Sequence, residues 1–519
     1  MLVLQWLVGP EAAGEGKTTH LLPRWFFLRA LGLIYFSAFY SFIFQLKGLI
    51  GPNGILPANQ YLPTVKQYYP GIKGIWYAPT LLWFGSSDRA LMIVCWLGIA
   101  ASMAVIFNLW PRISLLLSLV CFLSLVAAAQ DFSSYQSDGM LLEAGFISLF
   151  FVPPGLRPGL GATHLPSRAS RFLLQWEWFR IYFESGVVKL VSGDYSWRHL
   201  TAMDDYYQNC PLPTWAGWYV QHLPHKFHAF SALLTLVMEL GIVFMLFLPR
   251  RFRIICFLIV TPFQVSIILT ANYTFLNYLV LVLGFLLLDD GVVRSVLPQR
   301  WREPAKTQES GTRTPGRWNA WLLPMRRLTA AVCLWWIFYA TTALLLATFP
   351  HGDVLPDGPV QLLEPFRIAN RYGLFANMTH ERYEIEFQGS NDGVTWTPYP
   401  FRYKPQDIYK APGIYAPYQP RFEWNLWFAS LETDRQNPWV ADAELRLITN
   451  SQQVLSLFAG NPFPHGPPQK VRAVLYQYWF TDMETKRKTG AWWRRELLHL
   501  YTVPLQRRPD GKIEIMATE

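Results

Sequence analysis

Long apolar runs separated by short polar breaks fill the first two thirds of the chain, and after Pro350 the pattern changes to a two-residue period. Nine apolar segments stand out: 24–46, 89–109, 113–130, 137–152, 172–191, 228–249, 252–270, 272–288 and 328–349. A helix crosses a bilayer with about 20 predominantly apolar residues, so the shorter segments predict tilted or re-entrant pieces. The pattern predicts a polytopic α-helical membrane bundle of about nine spans. Beyond it, YEIEFQGSNDGVTWTPYPFRY places Tyr383, Ile385 and Phe387 on one face before an Asn391-Asp392-Gly393 turn signal, which predicts a β-hairpin. RFEWNLWFASLE and NPWVADAELRLITN have helical spacing, VRAVLYQYWFTD reads as a strand, and GAWWRRELLHLYTVPL closes the region. These elements predict an α+β C-terminal domain with a β-sandwich-like core. The expected divisions are a tail at 1–23, a bundle at 24–288 with large loops at 47–88 and 192–227, a basic loop at 289–327, a last span at 328–349 and the domain at 350–519.

Charge orients this arrangement. The chain carries a net charge of +10, yet from His351 onward 19 Lys and Arg balance 19 Asp and Glu. The basic excess therefore belongs to the membrane region, and a nucleic-acid partner is not implied. Alternate connections hold Lys17 and Arg24, then Arg112, then Arg157, Arg168 and Arg171, then Arg250, Arg251 and Arg253, then the basic loop 289–327. The positive-inside rule then predicts a cytoplasmic N-terminus and an exoplasmic C-terminal domain. Loop 289–327 is expected to be the least ordered internal part, and the aromatic-rich loops 47–88 and 192–227 to be ordered at the membrane surface.

One segment breaks the apolar rule. RFLLQWEWFRIYFESGVVKLVSGDYSW, from Arg171 to Trp197, carries Glu177, Arg180, Glu184 and Lys189. Charges inside a span face a protein interior and find partners there. Glu177, Arg180 and Glu184 share one helix face, so Arg180 can reach both carboxylates. Lys189 lies about half a turn away and needs a partner from another element. Asp138, Glu143 and Glu239 are further ionisable groups within apolar runs. Two readings follow: a polar network holding the bundle in register (Glu177, Arg180, Glu184, Glu239), or a base at Lys189 helped by Asp138 or Glu143.

Soluble chemistry is otherwise silent. No Ser-His-Asp order, phosphate loop or HExxH stands in the sequence, and the five cysteines have no metal spacing, so no metal or cofactor is expected. Asn272 and Asn377 match the glycosylation sequon. Asn272 sits at a tight turn too close to the membrane for easy modification.

Long stretches are similar to one known family. LIGPNGILPA, LLEAGFISLFFVP, FESGVVKLVSGDYSWRHLTAMD, CPLPT, NYTFLN with LLLDD, NRYGLFANMTHERYEIEFQGSNDG, APYQPRFEWNLWFASL, NPFP and GAWWRRE resemble, in order, the markers of the lipase maturation factors. The resemblance implies a non-enzymatic multi-pass protein that helps exported client proteins, lipases among them, to fold and assemble. It implies the endoplasmic reticulum membrane in a eukaryote; a bacterial member would sit in the cytoplasmic membrane. Membrane lipids and an exported client are the expected partners. Tyr418, Trp424, Trp427 and Trp439 are the candidate client contacts. The sequence departs from the family at Ser137, at Tyr206–Pro211 and at Tyr418, and it lacks the luminal disulfide cysteines of some animal members. GVVKLVSGDYSW also resembles an element of vitamin K-dependent γ-carboxylases, in which Lys189 would be the basic catalytic group.

Overall fold

In the computed structural model, residues 19–298 and 317–516 are described. The predicted tail lies almost entirely outside them, as does 299–316 of the predicted loop 289–327. The rest of that loop is helical at Asp290–Val296 and again from Arg317, where the last helix begins.

The bundle consists of α1 (Leu21–Ile43), α2 (Asp88–Ile106), α3 (Pro111–Ala128), α4 (Gln136–Ser148), α5 (Arg168–Val191), α6 (His225–Leu240), α7 (Arg250–Thr270), α8 (Leu276–Gly284) and α9 (Arg317–Leu346). Among the described residues six helices are long and apolar enough to cross a membrane, seven if the bent pair Leu276–Leu287 and Asp290–Val296 is one span. The expectation of several membrane helices holds, while length and composition among the described residues reach a count of six or seven and not nine. The segment expected at 137–152 is α4, whose 13 residues reach only about 20 Å and are almost all buried. The segment expected at 172–191 is all but the first turn of α5, which is long but too charged to count as a simple apolar span.

Local chemistry explains these limits. The Ser167 side chain accepts the Ser170 N–H at the start of α5, and Ser87 does the same for Ala90 in α2. Close helix contact is set by glycine: a Cβ on Gly98 would lie 2.2 Å from the Phe39 ring, so α1 and α2 touch only because that atom is missing. Gly186 likewise admits Leu240 and Glu239 of α6 against α5.

The two ends of the bundle differ. At one, Arg24 donates to the carbonyls of Leu160 and Gly161 at 2.8 and 2.9 Å, Arg112 donates to Val152 O at 2.9 Å, and Arg250 pairs with Asp289. The other end carries the C-terminal domain. Loop 47–88 folds into helices Leu46–Ile50, Ala58–Tyr68 and Ile72–Tyr77, and loop 192–227 into Tyr195–Arg198, Ala202–Asn209 and Trp215–Gln221. Both loops hold the domain: Ser451 donates to Asn53 O at 2.8 Å, and the Trp218 indole donates to Trp492 O at 3.2 Å. Asn272 is buried between α7 and α8. It donates to Gly413 O at 2.9 Å and accepts the Tyr415 N–H at 2.6 Å, a structural role that occupies the sequon amide.

The domain holds β1 (Arg382–Ser390), β2 (Thr397–Pro398), α10 (Arg421–Ser430), α11 (Trp439–Ile448), β3 (Lys470–Phe480), β4 (Trp493–Leu500), β5 (Leu505–Arg507) and β6 (Ile513–Ile515). The hairpin forms β1 and β2, with Gln388 opposite Pro398. All strands join one antiparallel sheet, in the order β2-β1-β3-β5-β6 with β4 also on β3. The β-sandwich-like core is thus replaced, among the described residues, by a single sheet. Its Ile385 and Phe387 face packs on Phe422 of α10 and on Phe458 in the segment that follows α11. Its other face is buried too, but polar: Glu384 pairs with Arg382 and Lys404, and Glu386 with Arg495 at 2.9 Å. A loop bearing Lys404 and Gln406 covers it where a second sheet was expected.

Candidate functional site

The charges of the bundle converge on one extended strap, residues 370–379, which follows the last helix and precedes β1. Arg180 pairs with Glu143 of α4 and donates to the Asn370 carbonyl at 2.7 Å. Glu143 accepts from the Asn370 N–H at 3.0 Å and the Tyr372 hydroxyl at 2.9 Å. Glu184 accepts the Tyr372 N–H at 2.6 Å, and the Arg180 guanidinium lies 5.0 Å over the Tyr372 ring. Further along, Lys189 is held by both oxygens of Glu239 at 2.8 and 2.9 Å and donates to Leu374 O at 3.1 Å. Its ammonium also lies 5.0 Å from the Trp197 ring, whose indole donates to Phe375 O at 2.9 Å. Asp194 then accepts the Met378 N–H at 2.6 Å, and Asn209 donates to Thr379 O at 2.9 Å. The strap is neither helix nor strand. Its backbone groups are satisfied by bundle side chains instead of a ladder.

A second ionic clamp lies beside it. Arg421, at the start of α10, donates to both oxygens of Asp138 at 2.7 Å and to Phe132 O at 2.9 Å. The paired side chains are fully buried, and the guanidinium stacks 4.0 Å from the Phe42 ring. A bidentate Arg–carboxylate pair fixes direction as well as distance, so it sets how the domain sits on the bundle.

Between strap, clamp and α10 lies a cleft of about 630 Å³. Its walls include Tyr135, Tyr206, Tyr273, Trp424, Trp427 and Phe428. Trp424 rests edge-on against Tyr135 and Tyr273, and Tyr135 donates to Asn425 Oδ1 at 3.0 Å. Among the described residues no group of His, Cys, Asp and Glu is placed to hold a metal ion.

This architecture has relatives. A family model described as the lipase maturation factor transmembrane domain matches residues 22–295, and one described as the lipase maturation factor C-terminal domain matches 368–504. The chain belongs to the lipase maturation factor family. It is 32% identical to lipase maturation factor 2 of Gallus gallus over 91% of this chain and 80% of that protein. It is 32% identical to lipase maturation factor 1 of Bos taurus over 94% and 90%, and 30% identical to lipase maturation factor 1 of Homo sapiens over 96% and 91%. No solved structure matches the chain.

Against the sequence reading, this family member rearranges several roles. The expected ladder on α5 is incomplete: Arg180 reaches Glu184 at 3.5 Å, but neither carboxylate oxygen of Glu177 has a hydrogen-bond partner among the described residues. Arg180 turns to α4 and the strap because they offer several groups at once. Lys189, Asp138 and Glu143 do not share a pocket, since each is closed in a separate ion pair. The aromatic client candidates are not an exposed patch. Trp439 is 2% exposed and packs edge-on against Phe132, and Trp424 and Trp427 are buried in the cleft wall. Tyr418 is half-buried between Tyr403 and Tyr40, where its oxygen accepts from Gln45. The residues that sequence reasoning did not assign are Asn370, Tyr372 and Arg421. The first two stand in NRYGLF, a polar stretch that fits neither helical nor strand period.

Proposed function

We propose that this protein is a membrane-embedded factor that assists folding and assembly of exported proteins, and that it holds its client at the aromatic cleft. The observation that carries this reading is a contrast. The ionisable candidates Lys189, Asp138 and Glu143 are consumed by structural pairs, while the cleft of about 630 Å³ between domain and bundle stays open. Buried aromatic surface with scattered polar groups suits the capture of a partner. The names of the relatives point to a lipase as client. The arginine-rich end supports a cytoplasmic N-terminus and an exoplasmic domain, with the endoplasmic reticulum membrane as the site in a eukaryotic host. The same basic distribution supports nine passes, with α4 and α5 crossing inside the protein and not against lipid. A base at Lys189, as in a carboxylase, gains no support from an ammonium held by both oxygens of Glu239.

A photo-crosslinking residue at Phe428 tests the reading, with one at Ile72 as an exposed control away from the cleft. A co-expressed secreted lipase is expected to form adducts from position 428 and not from 72. Equal adducts at both positions, or none at either, would overturn the assignment.

A further inference from the structure

We propose that the cleft between domain and bundle is a binding site for a neutral oligosaccharide. That this sugar is carried by the exported client rests on the reading above. Three properties of the wall lead to the assignment.

The first is charge. Among the described residues, Asp131 and Glu432 are the only charged ones lining the cleft, and no Lys, Arg or His joins them. Phosphate, sulfate and carboxylate ligands would meet like charge and no counter-charge. A phospholipid headgroup is disfavoured on the same ground.

The second is the kind of polar group. Seven side-chain amides line the cleft beside eight aromatic rings. An amide offers both a donor and an acceptor, as vicinal hydroxyls on a sugar ring require. The flat C–H face of the same ring is apolar and stacks on an aromatic face. A hydrocarbon chain would leave the Gln419 amide, which has no partner among the described residues, without use. An extended peptide would need partners at a regular repeat of about 3.3 Å per residue. Here the amides come from separated segments, among them Gln136, Asn209, Asn377 and Gln419, not from one strand or helix.

The third is spare capacity. Both the nitrogen and the oxygen of the Gln419 amide lack a hydrogen-bond partner among the described residues, and so do the Thr274 hydroxyl and the Trp427 indole N–H. All three residues line the cleft and are buried. Buried polar groups nearly always have partners, so three in one wall mark a place where another molecule supplies them. The volume of about 630 Å³ lies within the range of small-molecule sites.

The test uses the full-length protein in lipid nanodiscs, with mannotriose and chitotriose as probes and calorimetry as readout. At least one probe is expected to bind saturably. Binding should weaken at least about tenfold in Phe428→Ala and in Gln136→Ala, whose wild-type side chains are exposed at the cleft. Phe84→Ala, outside the cleft and 93% exposed, should bind as the wild type does. Melting temperatures confirm that each variant is folded. No saturable binding by either probe overturns the proposal, as does binding indifferent to both cleft substitutions. A second arm separates this proposal from the one beneath it. The lipase crosslinked from position 428 is compared with and without enzymatic removal of its glycans. Loss of the adduct only after removal supports sugar recognition. An unchanged adduct overturns it and leaves the folding-factor reading standing. Saturable sugar binding with no adduct from either form supports the site but sinks the folding-factor reading.

Discussion

Most charges inside the bundle are paired, whereas several uncharged groups in the cleft above it are not. Inside, Arg180, Glu143, Glu184, Lys189 and Glu239 are buried and tied to each other or to the strap. In the cleft, Gln419, Thr274 and Trp427 are equally buried but have no partner among the described residues. Charges are the costlier groups to bury, and the fold spends them on fixing the domain to the bundle. The uncharged groups are left for something else. The lesson is that an ionisable residue in a membrane segment need not mark the working site. Here it marks the hinge-pin, and the surface proposed to work carries no basic group among the described residues.

Lys189 offers the largest effect and the sharpest break of this contrast. Lys189→Ala leaves Glu239 as an uncompensated buried charge and is expected to cost about 3–5 kcal/mol, read as a large drop in melting temperature. The double variant Lys189→Met, Glu239→Leu should recover most of the loss and, if the proposed function holds, support maturation of a co-expressed lipase as the wild type does. A folded but inactive double variant would return Lys189 to a chemical role.

Glu444 of α11 tests the domain alone. Burial pushes its carboxyl up from the ordinary 4.5 to about 8, and the hydrogen bonds from the Thr502 hydroxyl and the Ala473 N–H oppose the rise. The folded value lies above the unfolded one, so this contribution is fully present below pH 4.5 and is lost as pH rises through about 8. Domain stability should therefore fall across that window by an amount on the order of a few kcal/mol. Glu444→Gln should flatten the slope. An unchanged slope in that variant would assign the pH dependence to other groups.

Glu177 gives the smallest effect and the finest test. Its side chain is fully buried, and its carboxylate oxygens have no hydrogen-bond partner among the described residues. Glu177→Gln should change the melting temperature little or raise it, by about 1 kcal/mol or less in stability. A loss as large as that of Lys189→Ala would place Glu177 in the structural network after all.

Much of the bundle is legible from sequence, because hydropathy reports helices directly and the break in it at α5 announced buried charge. The partner of Lys189 was legible only as a requirement. Glu239 is 50 residues away, and nothing in local periodicity links the two. The strap was invisible for the same reason in stronger form: its contacts to α4 and α5 span 185 to 237 residues, and its conformation has no period. The sandwich failed because strand spacing does not say what covers a sheet's second face, and the domain's aromatic rings do not build a second layer. Those rings pack on the bundle loops instead, Trp492 against Trp218 at 5.2 Å and Trp439 against Phe132 at 5.2 Å.

The strap also has a consequence in time. Glu184 is synthesised 188 residues before the Tyr372 N–H that it accepts. At about 5–20 residues per second, roughly ten to forty seconds separate the two. During that interval the membrane helices exist with their carboxylates incompletely met, and only the arrival of the final third of the chain completes them. A defect that displaces residues 370–379 would thus be registered as an unfinished membrane protein, before the domain that follows is asked to do anything.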